Sequence, residues 1–306
     1  MYRLALRMPN WVGDVLMTLP VIDSLLSLGI KIEVLGKNWL YDLFSAYNFP
    51  IYPIPKSLFA AKKVYNKILS QNVLLFTNSV RSAASASLAQ KNTIGYMCFG
   101  RNFFLHDFIV KNKGLCEAEY FWNLANFAVE KTFGLTMVDN GNAKLNISDK
   151  ATTLAKQILE KYEIKDNYLV VCPGATGRGE KGQSKIWPYW SKLANILVEK
   201  NITLVACPAL NELDLFSFLL PKKVKIISDV DLLTYAAIMK KSSMVIANDS
   251  GPLHLAAAVQ SSVLGLYGVS SPQRVAPKNA KILGKLGQWP TLEDVLHDIY
   301  RTYEKR

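Results

Sequence analysis

Three stretches of this chain carry more polar chemistry than their local structure requires. The first is "NDSGPLHLAAA", residues 248–258, which follows the apolar run 243–247 and opens a helix of small residues. Asn-Asp-Gly alone would satisfy the turn, and Ser250 alone would cap the helix. The surplus points to something held in front of that helix. Orphan N–H groups of a first turn and the helix dipole both favour negative charge, and Gly251 lets backbone approach a phosphate closely. Pro252 costs no donor there. His254 can donate a hydrogen bond to a phosphate oxygen. Asp249 would repel one, so it is expected to accept from a hydroxyl or from backbone amides. A well-capped helix with a satisfied interface histidine accounts for the same spacing.

The second stretch is "CPGATGRGEKGQSKIWP", residues 172–188, again between a strand and a helix. Gly174, Ala175 and Thr176 are small, while Arg178, Lys181 and Lys185 bring cationic heads. A glycine-rich basic loop at the carboxyl end of a strand can wrap a diphosphate. Walker A it is not, because no Lys-Ser/Thr follows the second glycine. A mobile solvent loop is the plainer alternative. The third stretch, "RMPNWVGDVLMTLP" at 7–20, sets Asp14 where the first strand gives way to its helix. Asp14 can be read as an N-terminal cap. It can also be read as the acid at the top of the first sheet, able to act as general base if its surroundings leave it basic enough.

The elements that must position these groups follow a clear rhythm. Short apolar strands at 3–7, 31–35, 73–76 and 93–96 alternate with amphipathic stretches at 15–28, 58–69 and 79–89. The second half has strands at 168–171, 203–206, 224–227, 244–247 and 263–267, with helical periodicity at 189–200, 212–219, 232–241 and 253–259. Continuous apolar strands separated by helices imply an α/β fold, with parallel sheets covered on both faces. A polar seam near 140–150 divides the chain into an N-terminal domain over 1–145 and a C-terminal domain over 151–289. The expectation is two Rossmann-like domains facing a cleft, with the carboxyl ends of the strands toward it. A terminal helix over 290–306 is signalled by Thr291 and Asp294 in capping-box spacing. His297 beside its apolar stripe reads as a surface or boundary residue.

At 306 residues, half of them apolar and a fifth charged, the chain has the composition of a globular protein with room for two domains. No signal peptide or spanning helix is read, and Cys98, Cys116, Cys172 and Cys207 show neither CxxC pairing nor metal-ligand spacing. A cytoplasmic protein without a metal is the expectation. The net charge of +12 comes from dispersed Lys and Arg with no helix-turn-helix, zinc or RNP-like pattern, so no specific nucleic-acid partner is expected. Lys-rich coding bias, an acidic substrate and the anionic inner face of a membrane remain as its explanations.

With "NWVGDVLMTLP", "PGAT…SKIWP" and "NDSGPLHLAAA" in this order, the chain resembles the ADP-heptose:lipopolysaccharide heptosyltransferases of glycosyltransferase family 9. "LFTNSVRSA" and the following "IGY" bring it nearer the second heptosyltransferase than the first. The resemblance implies a GT-B fold, with acceptor in the N-terminal domain and nucleotide sugar in the C-terminal one. It implies inverting, metal-independent transfer of heptose from ADP-heptose to the inner core, with no cofactor beyond that donor substrate. Asp14 then matches the acid proposed as base, and Lys185 the lysine that neutralises the donor diphosphate. Thr176 lies where phosphate is bound, and Glu212 where an acid binds ribose. Asp249, Ser250, Gly251 and His254 match the donor loop.

Positive charge on the leaving diphosphate would come from Lys185, His254 and a helix N-terminus. A phosphorylated lipid A–core acceptor and peripheral contact with the inner face of the inner membrane would give the basic balance a partner. Arg81 and Arg101 are candidate acceptor contacts; His106 has no assigned role. The stretch between Gly174 and Lys185 is longer than the family's usual form and carries Glu180, so a family 9 transferase using another nucleotide sugar is one alternative. A non-catalytic glycolipid- or nucleic-acid-binding protein with the same fold is another. A dinucleotide oxidoreductase is disfavoured because no GxGxxG follows the first strand.

Overall fold

Apolar runs rich in Val, Leu, Ile and Ala form the middles of the central strands, and these are buried because helices cover both sheet faces. The computed structural model describes residues 2–98, 100–112, 114–139, 141, 144–179 and 181–303. Two compact units result, Met1–Lys144 and Leu145–Arg306.

The first unit holds β1 (Arg3–Arg7), β2 (Lys31–Gly36), β3 (Ile51–Pro53), β4 (Asn72–Leu75), β5 (Asn92–Tyr96) and β6 (Asp107–Ile109). They form one parallel sheet in the order β3-β2-β1-β4-β5-β6. The second holds β7 (Tyr168–Cys172), β8 (Thr203–Ala206), β9 (Lys225–Ile226), β10 (Met244–Asn248), β11 (Val263–Leu266) and β12 (Lys281–Leu283). Its order is β12-β11-β10-β7-β8-β9, also parallel. In each unit the chain begins at the sheet centre, winds to one edge, then crosses back to the first strand's other side. That reversal opens a crevice at the carboxyl ends of β1 and β4, and another at those of β7 and β10.

Several elements differ from the sequence expectation. The stretch 15–28 is two helices, Val12–Leu16 and Leu19–Ser27. Pro20 in the first turn of the second has no N–H to continue the first, and its ring opposes the Leu16 carbonyl. Edge strands β3, β6 and β12 were not anticipated: each has three residues, none fully buried, so no apolar run announces it. The helices Glu117–Phe133 and Asp149–Lys161 were missed as well. The second begins inside the polar stretch read as seam, with Ser148 capping it by accepting from Ala151 N at 3.3 Å.

One buried acid needs explaining in the first unit. Glu33 is fully buried, and its carboxylate accepts from Leu69 N, Ser70 N and Ser70 Oγ at 3.0, 2.7 and 2.6 Å. Those bonds tie β2 to the turn before β4 and satisfy a charge that would otherwise be costly to bury. In the second unit the terminal helix Leu292–Tyr303 inserts Val295 and Ile299 into the main core cluster. Each such side chain contributes about 1.5–3 kcal/mol on burial. The capping box forms, with Asp294 N donating to Thr291 Oγ1 at 3.1 Å and Asp294 Oδ2 accepting from Thr291 N at 3.3 Å. No described helix is long and apolar enough to cross a membrane.

Candidate functional site

The parallel pairing of β7 with β10 sets Ala247 opposite Cys172. Loops leaving those two strand ends must therefore lie side by side, although 64 residues separate their key side chains. Lys185 Nζ donates to Asp249 Oδ2 at 2.5 Å, the lysine side chain 18% exposed and the aspartate 7%. Ser270, from the segment after β11, donates its hydroxyl to the same oxygen at 2.5 Å. Asp249 thus accepts from a hydroxyl, as the sequence suggested, and also binds the lysine expected to face a diphosphate. Ser270 had no sequence signal. It lies in a Ser-Ser-Pro turn that propensity alone reads as a loop.

Ser250 does not cap the helix Gly251–Ala258. Its hydroxyl donates to the Asn248 carbonyl at 3.2 Å, and no side-chain cap bond is made. Pro252 has no N–H and Leu253 N donates to the Ser250 carbonyl at 3.1 Å, so within this first turn it is the Gly251 N–H and the helix dipole that can face an anion. His254, on that first turn, is buried. Burial pushes its imidazole down to about 4; Asp249 opposes that shift and Lys185 adds to it. His254 is therefore neutral at physiological pH. It can donate one hydrogen bond to a phosphate oxygen. Tyr267 is also fully buried near Asp249; burial first, and then the carboxylate's charge, keep its phenol protonated.

Residue Asn248, read from sequence only as a turn former, anchors both loops. Its Oδ1 accepts from Trp187 N at 3.1 Å and Trp190 Nε1 at 3.0 Å, and its Nδ2 donates to Pro173 O at 2.6 Å. Both tryptophans are 0% exposed and meet edge to face, with ring centroids 5.8 Å apart. One fully buried amide thus fixes the beginning and the end of the 172–188 loop to the end of β10. The spacing of two Trp three residues apart after Lys185 was the available signal. Asn248→Ala would strand three buried polar groups at about 1–3 kcal/mol each. It is expected to lower unfolding free energy by about 3 kcal/mol or more, read from chemical denaturation.

The remaining sequence candidates divide cleanly. Thr176 is exposed at the loop's rim, and the aliphatic stem of Lys185 runs past Gly177, where an added Cβ would lie 3.7 Å from it. Arg178 and Ser184 form an isolated antiparallel bridge; Glu180 lies outside the described residues. Glu212 sits over Gly174, where an added Cβ would come within 2.5 Å of Oε1. Its Oε2 also accepts from Ala209 N at 3.1 Å. The structure thus gathers Lys185, Glu212, Asp249, Ser250, Gly251 and His254 at the ends of β7, β8 and β10.

In the first unit, Asp14 is half-buried in the first turn of the helix Val12–Leu16, just beyond β1. Arg81 is exposed in the first turn of the helix Val80–Ser87, beyond β4. Arg101 belongs elsewhere. Its side chain is 0% exposed, with Nη1 donating to Tyr96 O at 2.7 Å and Nη2 to Thr77 O at 2.5 Å. Burial lowers its pKa to about 10. A guanidinium spent on tying β4 to β5 cannot meet an acceptor, so that expectation is corrected. His106 is a surface residue paired with Asp107 at 2.9 Å, and His297 is exposed. Among the described residues, no three His, Cys, Asp or Glu side chains are gathered as metal ligands would be.

The family model described as glycosyltransferase family 9 (heptosyltransferase) matches residues 63–295, more than half of the chain. The chain belongs to glycosyltransferase family 9. It is 32% identical over 128 residues to lipooligosaccharide heptosyltransferase 2 of Haemophilus influenzae, a stretch covering 36% of this chain and 34% of that protein. The chain thus spans about a third or less of the length of the curated relatives it matches. Among solved structures, the E. coli ADP-heptose LPS heptosyltransferase II superposes with a TM-score of 0.81 at 19% identity, covering 100% of this chain and 99% of that one. E. coli heptosyltransferase WaaC with ADP gives 0.72 at 19% identity over 99% and 98%. These likenesses carry the fold, and the family 9 chain has the α/β GT-B fold class expected from its sequence.

Proposed function

We propose that this family 9 chain transfers heptose from ADP-heptose to the inner core of lipopolysaccharide, inverting the anomeric centre without a metal. The observation that carries the reading is the linked pair of loops after β7 and β10. Lys185 and the uncapped helix at Gly251 form a prepared anion site there, at the sheet position where α/β folds bind ligands. As the bond to the sugar breaks, charge grows on the ADP phosphates. Lys185, the helix N-terminus and a hydrogen bond from His254 stabilise it.

Thr176 contacts phosphate at the rim, and Glu212 accepts from the ribose. Asp14 takes the proton of the acceptor hydroxyl as that oxygen attacks the anomeric carbon from the face opposite ADP, as in inverting glycoside chemistry. Arg81 meets an anionic group of the acceptor. The formal charge of +12 suits work at the anionic inner face of a membrane, where a phosphorylated lipid A–core would be presented.

The test is ADP release from ADP-heptose and a truncated core acceptor in the presence of EDTA. Acceptor-dependent release at the rate seen with added Mg²⁺ supports the reading. Release only with metal overturns its metal independence. Release from a GDP- or UDP-sugar but not from ADP-heptose overturns the donor.

A further inference from the structure

From residue 43 to residue 106 the sequence contains no Asp or Glu, although 24 of its 306 residues are acidic. Arg101 in that run is spent between strands, which leaves Lys56, Lys62, Lys63, Lys67, Arg81 and Lys91 as its cations. The run builds one side of the first unit. Its helices Leu58–Tyr65 and Val80–Ser87 and its single turn Asn102–Phe104 set Tyr65, Ala83, Ala86 and Phe104 against one core cluster, which includes Ala5 of β1 and Val73 and Leu75 of β4. Ala5 pairs with Val73, and Val73 and Leu75 alternate to the same side, so these segments cover a single face of the sheet.

What this layer turns outward is both basic and apolar. In the helix Leu58–Tyr65, Ala61 and Tyr65 are buried, while Phe59 and Lys63 follow an exposed stripe that Lys67 continues just past the helix end. Phe103, Leu69 and Phe59 are 85%, 73% and 71% exposed, three of the four most exposed large apolar side chains among the described residues. Lys56 and Arg81, also exposed, line a polar cavity with Arg7 and Lys37, so the layer reaches the crevice at the carboxyl ends of β1 and β4. Cations interleaved with exposed Phe and Leu can meet lipid phosphates and the acyl boundary of an anionic bilayer at once. A second copy of the chain would set like charge against like. A nucleic acid would offer the aliphatic Leu69 nothing to pack on.

We infer that this face, with Lys63 and Lys67 on lipid phosphates and Phe59, Leu69 and Phe103 dipping into the headgroup layer, is the surface by which the chain docks on an anionic bilayer. The inference rests on the proposed reading for there being a membrane contact at all, and it assigns that contact to one side of the first unit instead of to net charge. Vesicle binding is measured apart from sugar transfer, so each reading can fail alone.

The test is flotation of the full chain with vesicles of phosphatidylcholine containing about one-third phosphatidylglycerol, against pure phosphatidylcholine. The chain should bind the mixed vesicles, bind the neutral ones far less, and bind more weakly as salt is raised. Lys63→Gln with Lys67→Gln should weaken binding about tenfold or more. Phe59→Ser should also weaken it, with the salt dependence kept. Lys192→Gln with Lys200→Gln removes the same charge at the helix Trp190–Glu199 of the second unit and should leave binding within about twofold. Equal losses in the two lysine pairs, or equal binding to neutral vesicles, overturns the inference. So does tighter binding of single-stranded RNA than of the mixed vesicles at the same salt. Transfer to a delipidated acceptor should run at the parent rate in the Lys63/Lys67 variant; its loss there would also overturn the assignment. Vesicle binding by a chain that transfers no sugar would sink the transfer reading and leave this one standing.

Discussion

Asp14→Asn is expected to slow transfer by about 10²–10⁴-fold while ADP-heptose binds as in the parent. The acceptor hydroxyl is a poor nucleophile until its proton has somewhere to go, and Asp14 is the acid just past the end of β1 in this account. The amide preserves shape and keeps one acceptor oxygen, so the short helix Val12–Leu16 should persist. Losing a negative charge from a first helical turn costs only about 0.3–1 kcal/mol. Rapid-mix ADP release and donor titration by thermal shift separate the two effects. A variant that turns over at the parent rate would remove Asp14 from the mechanism.

The second large effect belongs to Lys185. Lys185→Met keeps the aliphatic stem that runs past Gly177 and deletes the charge. Two consequences are expected, and they can be told apart. A charge-assisted bond to the diphosphate is worth about 1.5–3 kcal/mol, so donor affinity should fall about 10- to 100-fold. Asp249, its side chain 7% exposed, would also lose the cation that balances it. Breaking one side of a buried pair costs about 3–5 kcal/mol. Adding Asp249→Asn should restore stability, because Ser270 can still donate to the amide oxygen, yet leave donor binding weak. Full recovery of binding in that double variant would mean that Lys185 serves only the fold.

What could be read from residues alone follows from where burial is complete. The central strands β1, β4, β7 and β10 run through sheets covered on both faces, so their sequences are apolar almost throughout. β3, β6 and β12 sit at sheet edges, where half-exposed residues leave no such trace. In the helix Glu117–Phe133, charges and aromatics interleave and hide the buried face of Tyr120, Leu124 and Ala128.

The site shows the same division. Glycines, cations and a histidine near strand ends pointed toward an anion site, because phosphate binding favours those types. The Lys185–Asp249 pair is a product of strand pairing, which no local pattern encodes. Burial decided three further points: the neutral state of His254, the structural use of Arg101 and the anchoring by Asn248. Residue type says nothing of burial when the chain returns to a position from far away in sequence.

The central claim is that the loops after β7 and β10 grip the donor's diphosphate and that Lys185 changes partners to do so. A crystal structure of the chain with ADP tests this most directly. The account predicts phosphate oxygens at the N-terminus of the helix Gly251–Ala258, with Lys185 Nζ drawn from its 2.5 Å contact with Asp249 into hydrogen-bonding reach of the terminal phosphate. ADP phosphates lodged among Arg7, Lys37 and Arg81 of the first unit, with the Lys185–Asp249 contact unchanged, would contradict it.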